Sequence, residues 1–154
     1  MKNHTKTLIG VFLSGLVGLS LHSNARTGEA QKEESVLLSG LVEKVAAENI
    51  GVVSEAEYEK GRWEIEACTA TSCVDIKFDA KTGTEIKRKT EKSDDALPPD
   101  NARPLAEIVK TFEEHHYQIT EIEFEDGVWE VYWIKDDRKV KSWLDPVTAK
   151  NVYK

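Results

Sequence analysis

The sequence VSEAEYEKGRWEIEACTATSCVDIKFD at residues 53–79 decides the fold, because it recurs without a gap as ITEIEFEDGVWEVYWIKDDRKVKSWLD at residues 119–145. The offset of 66 residues places Trp63 on Trp129 and superposes the neighbouring acids, the turn glycine and the final aspartate. Self-similarity at a fixed period is the signature of repeated supersecondary units. The chain is therefore predicted to contain two copies of one small unit.

Each copy begins with a stripe of apolar residues at helical spacing. Residues at i, i+3, i+4 and i+7 share one face of an α-helix. The stripes lie in VLLSGLVEKVAAEN at residues 36–49 and in RPLAEIVKTFEEHH at residues 103–116. One amphipathic helix per unit is expected, with apolar faces formed by Leu38, Leu41, Val42 and Val45 and by Leu105, Ile108, Val109 and Phe112.

Alternating apolar and acidic residues follow each helix, which is the pattern of a half-buried strand. Two further strands then close on a four-residue loop, and in the first unit we expect residues whose numbers sum to 141 to pair. This register puts Trp63 opposite Phe78 and Ile65 opposite Ile76 on one face. A turn and a short last strand complete the unit. The expected fold class is α+β, with two tandem units that each pack one helix on an antiparallel four-stranded sheet.

Composition divides the chain into five segments. An export leader at residues 1–25 and a polar tail at 26–35 precede the first unit at 36–88 and the second at 103–154. The linker between the units, KTEKSDDALPPDNA at residues 89–102, combines charge with a proline pair, which disfavours regular structure.

The first 25 residues have the organisation of a secretory signal peptide. Lys2 and Lys6 precede an apolar run at residues 8–21, and Ser23 and Ala25 supply small residues for a cleavage site. The run of about 14 residues is shorter than the roughly 20 that a transmembrane helix needs. We expect cleavage after Ala25, a periplasmic or secreted protein, and no membrane attachment afterwards.

The order of motifs in the second unit resembles the PepSY domain. The motifs are YQITEIEFEDG at residues 117–127, WEVYW at 129–133 and DPVTA at 145–149, where Ala149 stands at a position usually held by glycine. The resemblance implies a helix packed on a four-stranded antiparallel sheet, and tandem copies are similar in architecture to the exported β-lactamase-inhibitor protein. It also implies a non-catalytic extracytoplasmic module that binds or restrains a partner.

Charge and motifs exclude several classes of function. The formal charge of −7 becomes −9 when the leader, with two lysines and no acids, is removed, so nucleic acid is not expected as a partner. The sequence has no nucleophile elbow, phosphate-binding glycine loop or histidine-based metal motif. The pair Glu121 and Glu123 is the conceivable general acid–base pair, but alternating acids usually form a solvated face. We expect neither an enzyme nor a cofactor.

The two cysteines flank the four-residue loop of the first unit. The register places Cys68 directly opposite Cys73, and two cysteines in an exported chain favour one disulfide. The alternative is a pair of reactive or metal-binding thiols, although the Cys-x4-Cys spacing is not that of a typical zinc or redox motif.

His115 and His116 end the second helix and are the weak candidates for metal binding. Adjacent histidines point in divergent directions, so a metal site would need ligands from elsewhere in the fold. The alternative is a helix C-terminus at which histidine complements the helix dipole.

The outer face of the second unit, turned away from its helix, carries Tyr132, Ile134, Trp143 and Lys141. Exposed aromatic residues rimmed by charge are common at protein interfaces. This face either recognises a protein partner or packs against the first unit, the linker or a second copy in a homodimer. The leading hypothesis is a non-enzymatic exported module that binds a protein partner, and the alternative is a periplasmic carrier or sensor of a small ligand or metal.

Overall fold

A single antiparallel sheet of seven strands, with two helices, organises the computed structural model of the protein. The structure describes residues 36–93 and 96–152, which belong to one compact unit. The expected α+β class is confirmed. The expected export leader and polar tail lie outside the described residues. No helix of the described part is long and apolar enough to cross a membrane.

The order of elements is a helix with four strands followed by a helix with three strands. The first set comprises α1 (Leu38–Ala47), β1 (Val52–Glu59), β2 (Arg62–Cys68), β3 (Ser72–Asp79) and β4 (Glu85–Lys92). The second set comprises α2 (Leu105–Glu114), β5 (Gln118–Glu125), β6 (Val128–Lys135) and β7 (Arg138–Leu144). Both helices begin at the first residue of their predicted apolar stripe.

The strands form one sheet in the order β4-β3-β2-β1-β5-β6-β7, and not the two separate four-stranded sheets expected from the sequence. The two halves meet at β1 and β5, where Ala56 pairs with Ile122. These two residues are 66 positions apart, so each half presents the same strand to the other. In the described residues of the second half, a single bridge between Leu144 and Asn151 stands where a fourth strand was expected.

Strand β4 extends to Lys92 and therefore includes four residues that the sequence analysis assigned to the linker. Every residue of β4 is exposed, because it forms the edge of the sheet. Charged residues are common on edge strands, where they discourage pairing with other chains. A charged segment was thus read as a linker although it pairs along its length with β3.

The core lies between the helices and one face of the sheet. The helices pack against each other, α1 also contacts β1 and β2, and α2 contacts β5. One continuous cluster of buried residues runs through both halves, and Trp129 and Phe78 are its largest fully buried side chains. The face of the sheet away from the helices is called the outer face below.

A hydrogen-bonded contact joins the two helices. The carboxylate of Glu113 on α2 accepts hydrogen bonds from the backbone nitrogen of Ser39 at 3.1 Å and from its hydroxyl at 2.5 Å. Ser39 lies in the first turn of α1, whose N-cap residue Leu37 makes no side-chain hydrogen bond to the helix. Glu113 therefore caps a helix 74 residues away in sequence.

Candidate partner-binding surface

The pairing of β1 with β5 aligns acidic residues across the centre of the outer face. Successive strand pairs bring Asp75 beside Glu66, Glu66 beside Glu55, Glu55 beside Glu123, and Glu123 beside Glu130. Neighbouring strands lie about 4.8 Å apart, so the five carboxylates span about 20 Å. We call this line across five strands the acidic row: Asp75, Glu66, Glu55, Glu123 and Glu130.

Burial, followed by the crowding of like charges, raises the pKa values of carboxyl groups in the acidic row. Burial, and then repulsion from Glu123 and Glu66, raises the pKa of Glu55 to about 7. Burial and a hydrogen bond with Glu91 raise the pKa of Asp75 to about 6. Burial is also the main cause of the raised pKa of Glu123. The centre of the row therefore holds protons more tightly than exposed carboxyl groups do.

Lysines lie at both ends of the outer face and pair with the acids nearest to them. On the β3 side, Lys77 forms an ion pair with Glu64 at 2.6 Å. On the β7 side, Lys141 pairs with Glu130, and this contact raises the pKa of Lys141. The outer face thus has an acidic centre between two cationic rims.

The residues predicted to bind a partner lie together on the outer face, beside one end of the acidic row. Tyr132 pairs with Lys141 across β6 and β7, and Glu130 pairs with Trp143. The side chains of Tyr132, Ile134 and Trp143 are half-buried. We call these three residues and Lys141 the aromatic patch.

The aromatic patch is not a bare apolar surface. The ammonium of Lys141 lies 4.8 Å from the ring centroid of Tyr132 and 5.2 Å from that of Trp143, and Lys139 lies 4.4 Å from the Tyr132 centroid. The Nε1 of Trp143 donates to Glu130 at 2.8 Å. Since Glu130 belongs to the acidic row, the row and the aromatic patch form one surface.

Cys68 and Cys73 form a disulfide at the predicted pair of positions. Both sulfurs are buried, and the hydroxyl of Ser54 lies 3.3 Å from Sγ of Cys68 while donating to Glu66 at 2.9 Å. Sγ of each cysteine and a carboxylate oxygen of Glu66 lie within 4.8 Å of one another. Because the sulfurs are bonded to each other, the thiolates that a metal would need are absent from this oxidised form.

His115, one of the two predicted weak metal candidates, contacts its own helix and Tyr117. Nδ1 of His115 lies 2.7 Å from the carbonyl oxygen of Thr111, and the ring stacks on Tyr117 with 5.8 Å between centroids. His116 has a backbone φ of 58°, and the preceding Glu113 is engaged with Ser39. The structure does not bring His115 and His116 together with further ligands among the described residues.

The acidic row is the feature that sequence analysis missed. The outward direction of Glu55 and Glu123 was predicted, but their meeting depends on which strand edges pair. One signal was available: Glu55 and Glu57 match Glu121 and Glu123 at the repeat offset. Antiparallel pairing of the matching strands brings Glu55 to Glu123 and Glu57 to Glu121.

Two matches with known proteins cover different shares of the chain. Residues 92–154 match the profile of the family described as "Peptidase propeptide and YPEB domain" (PepSY_2), from the last residue of β4 onward. No curated protein matches the chain. The structure is similar to that of a "putative lipoprotein" from Clostridium difficile 630, with a TM-score of 0.48 and 14% identity over 77% of this chain and 91% of that chain. The family match of residues 92–154 agrees with the resemblance found in the second unit, and assignment of the first unit to the same family stays a prediction.

Proposed function

We propose that this protein is a non-enzymatic exported module that binds a basic helical segment of a protein partner on the outer face of its sheet. The observation that carries the proposal is the acidic row, which crosses five adjacent strands on a face that neither helix covers. The PepSY match of residues 92–154 supports a role in restraining or sensing that partner. The exported location rests on the leader predicted at residues 1–25.

The charge of the outer face favours a cationic partner. Glu55, Glu66 and Glu123 crowd together at the centre of the sheet, and a cation placed between them would relieve the repulsion that raises the pKa of Glu55. Complementary charge contributes to specificity and to the association rate. A partner of negative charge would instead add to the crowding.

The spacing of the acidic row suits a helix that lies across the strands. An α-helix repeats every 5.4 Å, which is close to the separation of about 4.8 Å between strands. Basic residues at i, i+3 or i+4, and i+7 would therefore meet successive carboxylates. At the end of the row, the rings of Tyr132 and Trp143 would receive an arginine or an apolar residue once Lys141 moves aside.

We further infer that the two halves are copies of one unit, joined through the matching strands β1 and β5. The pairing of β1 with β5 is what completes the acidic row, because each half alone supplies only part of it. The first half supplies Asp75, Glu66 and Glu55, and the second half supplies Glu123 and Glu130. A partner that spans the row binds both halves together.

The proposal is tested with a 14-residue amphipathic peptide that carries arginine on one helical face, titrated calorimetrically into residues 26–154 at 50 and 150 mM salt. The variant Glu55→Gln/Glu123→Gln should bind the peptide roughly tenfold more weakly. Glu43→Gln/Glu107→Gln removes the same charge from the helix side and should bind within about twofold of the unmodified protein.

Three outcomes contradict the proposal. The first is equal weakening by the two double variants, which would mean that the peptide senses net charge only. The second is no effect of Tyr132→Ala/Trp143→Ala, which would remove the aromatic patch from the site. The third is equally tight binding of a peptide in which every arginine is replaced by glutamate.

A further inference from the structure

Two grooves lie at opposite ends of the helix pair, on the side of the sheet away from the acidic row. One has a volume of about 750 Å³ and lies between the first turn of α1 and the end of α2. The other, of about 660 Å³, lies between the first turn of α2, the end of α1 and the linker. We call them the Glu113 groove and the linker groove.

The grooves are built from corresponding positions of the two halves. Nine residues of one groove have a counterpart in the other, 67 positions away in the helices and 66 in the strands. Trp63 in the Glu113 groove corresponds to Trp129 in the linker groove, for example. Residues that differ between corresponding positions of the two grooves therefore indicate how the binding properties of the grooves differ.

The Glu113 groove contains its own carboxylate. Glu113 accepts hydrogen bonds from the backbone nitrogen and the hydroxyl of Ser39 at the N-terminal turn of α1. A helix N-terminus attracts negative charge because its first N–H groups lack partners within the helix. The protein thus shows how a carboxylate is bound at this place in the fold.

The linker groove lacks that carboxylate and has a cation instead. Ala46 occupies the position of Glu113, and Ala106 occupies that of Ser39. Pro104, the N-cap residue of α2, makes no side-chain hydrogen bond to the helix. Arg103 lines the groove where the Glu113 groove has Val36.

A second feature of the linker groove is a lining tryptophan whose buried indole nitrogen has no acceptor among the described residues. Trp129 lines the groove and is 1% exposed, and its Nε1 has no hydrogen-bond partner in the described part of the chain. Burying a hydrogen-bond donor without an acceptor destabilises the folded protein.

We propose that the linker groove binds an apolar chain that ends in a carboxylate, such as a peptide C-terminus or a fatty acid. The carboxylate takes the place that Glu113 holds in the other groove, between the first turn of α2 and Arg103. The apolar part of the ligand lies along Val42, Val53 and the linker prolines. The volume of the groove falls within the range of roughly 300–1,000 Å³ that is typical of pockets for small ligands. Glu43, Asp100 and Glu107 also line the groove, but all three are exposed, and solvent screens their repulsion of the ligand carboxylate.

The experiment follows the four tryptophan indole N–H signals of residues 26–154 by ¹⁵N NMR, with the Trp129 signal assigned from Trp129→Phe. The probes are N-acetyl-Leu-Leu-Val with a free carboxylate, the same peptide as its amide, and octanoate. The free acids should shift the Trp129 signal saturably, and the amide should bind at least about tenfold more weakly. The stronger of the two acid probes identifies the source of the ligand.

Two variants test the carboxylate position. Ala46→Glu/Ala106→Ser rebuilds the contact between Glu113 and Ser39 at the corresponding positions of the linker groove. The variant should no longer bind the acids, and its NMR spectrum should remain that of a folded protein. Asn49→Asp adds one negative charge three residues away, at an exposed position outside the lining of the groove, and should retain binding within about threefold. Arg103→Val should weaken binding about tenfold.

The proposal is wrong if neither acid moves the Trp129 signal at millimolar concentration, or if acid and amide bind alike. Equal loss of binding in the Ala46→Glu/Ala106→Ser and Asn49→Asp variants would also overturn it, because charge repulsion would then explain the loss.

Discussion

Replacing Glu55 by glutamine should stabilise the protein at pH 8 and leave its stability almost unchanged at pH 4. Glu55 stands at the centre of the acidic row, between Glu66 on β2 and Glu123 on β5. Burial and the neighbouring carboxylates raise its pKa from the ordinary 4.5 to about 7. The folded protein therefore binds this proton more tightly than the unfolded chain does.

The direction of the pH effect follows from proton linkage. A carboxyl group with a raised pKa in the folded state contributes nothing unfavourable below pH 4.5, where both states are protonated. As the pH rises from 4.5 to about 7, the unfolded chain ionises first and stability falls; above about 7 the penalty is constant.

The magnitude comes from the same two pKa values. Their difference corresponds to about 3 kcal/mol at 1.36 kcal/mol per pKa unit. The Glu55 side chain is half-buried, and solvent screening reduces this figure to about 1–2 kcal/mol. Glutamine keeps the shape of the side chain and removes the charge, so Glu55→Gln should recover that amount at pH 8.

Urea unfolding followed by tryptophan fluorescence measures the effect at pH 4 and at pH 8. Glu43→Gln, an exposed change on α1, is the matched control and should alter the free energy of unfolding by less than about 0.5 kcal/mol at either pH. A Glu55→Gln variant that is equally stabilised at both pH values, or destabilised at pH 8, would refute the raised pKa that burial and the neighbouring carboxylates give Glu55.

Three further predictions use the same unfolding assay. Cys68→Ala/Cys73→Ala should lose about 2 kcal/mol, and added dithiothreitol should then have no further effect, unlike in the parent protein. Glu113→Ala should lose about 1–2 kcal/mol because it uncaps α1, and an unchanged stability would show that water replaces the carboxylate. Gly51→Ala should lower the free energy of unfolding by about 2 kcal/mol or more, because its Cβ would lie 2.6 Å from the carbonyl oxygen of Cys68. The control Gly40→Ala in α1 places a Cβ where nothing lies within 4 Å, and it should raise the free energy of unfolding by about 0.5–1 kcal/mol.

The local structure could be predicted from the sequence because short-range patterns determine it. The apolar stripes located both helices, and the four-residue loop fixed the register that pairs Trp63 with Phe78 and Cys68 with Cys73. Shifting that register by one residue would turn every core side chain toward the other face. The alternation of apolar and polar residues therefore specifies which residues pair within a hairpin and which side chains face the core.

The pairing of β1 with β5 could not be derived in the same way. Alternation states which side of a sheet Glu55 and Glu123 occupy, but backbone hydrogen bonds at a strand edge carry no sequence code for the partner strand. Strand β4 shows the complementary difficulty: its exposed, charged residues give no apolar alternation, so Lys92 was assigned to a linker. The acidic row depends on the pairing of β1 with β5, so its position could not be predicted from the sequence.

The most informative differences between the halves concern Ala46 and Ala106, which correspond to Glu113 and Ser39. In the sequence these are changes between small and polar residues on helices, with no pattern that singles them out. They gain meaning only because the helices pack against each other and bring each pair to one groove. One pair closes its groove with a carboxylate and the other leaves the corresponding place open, so the same fold makes an internal cap at one end and a candidate binding site at the other.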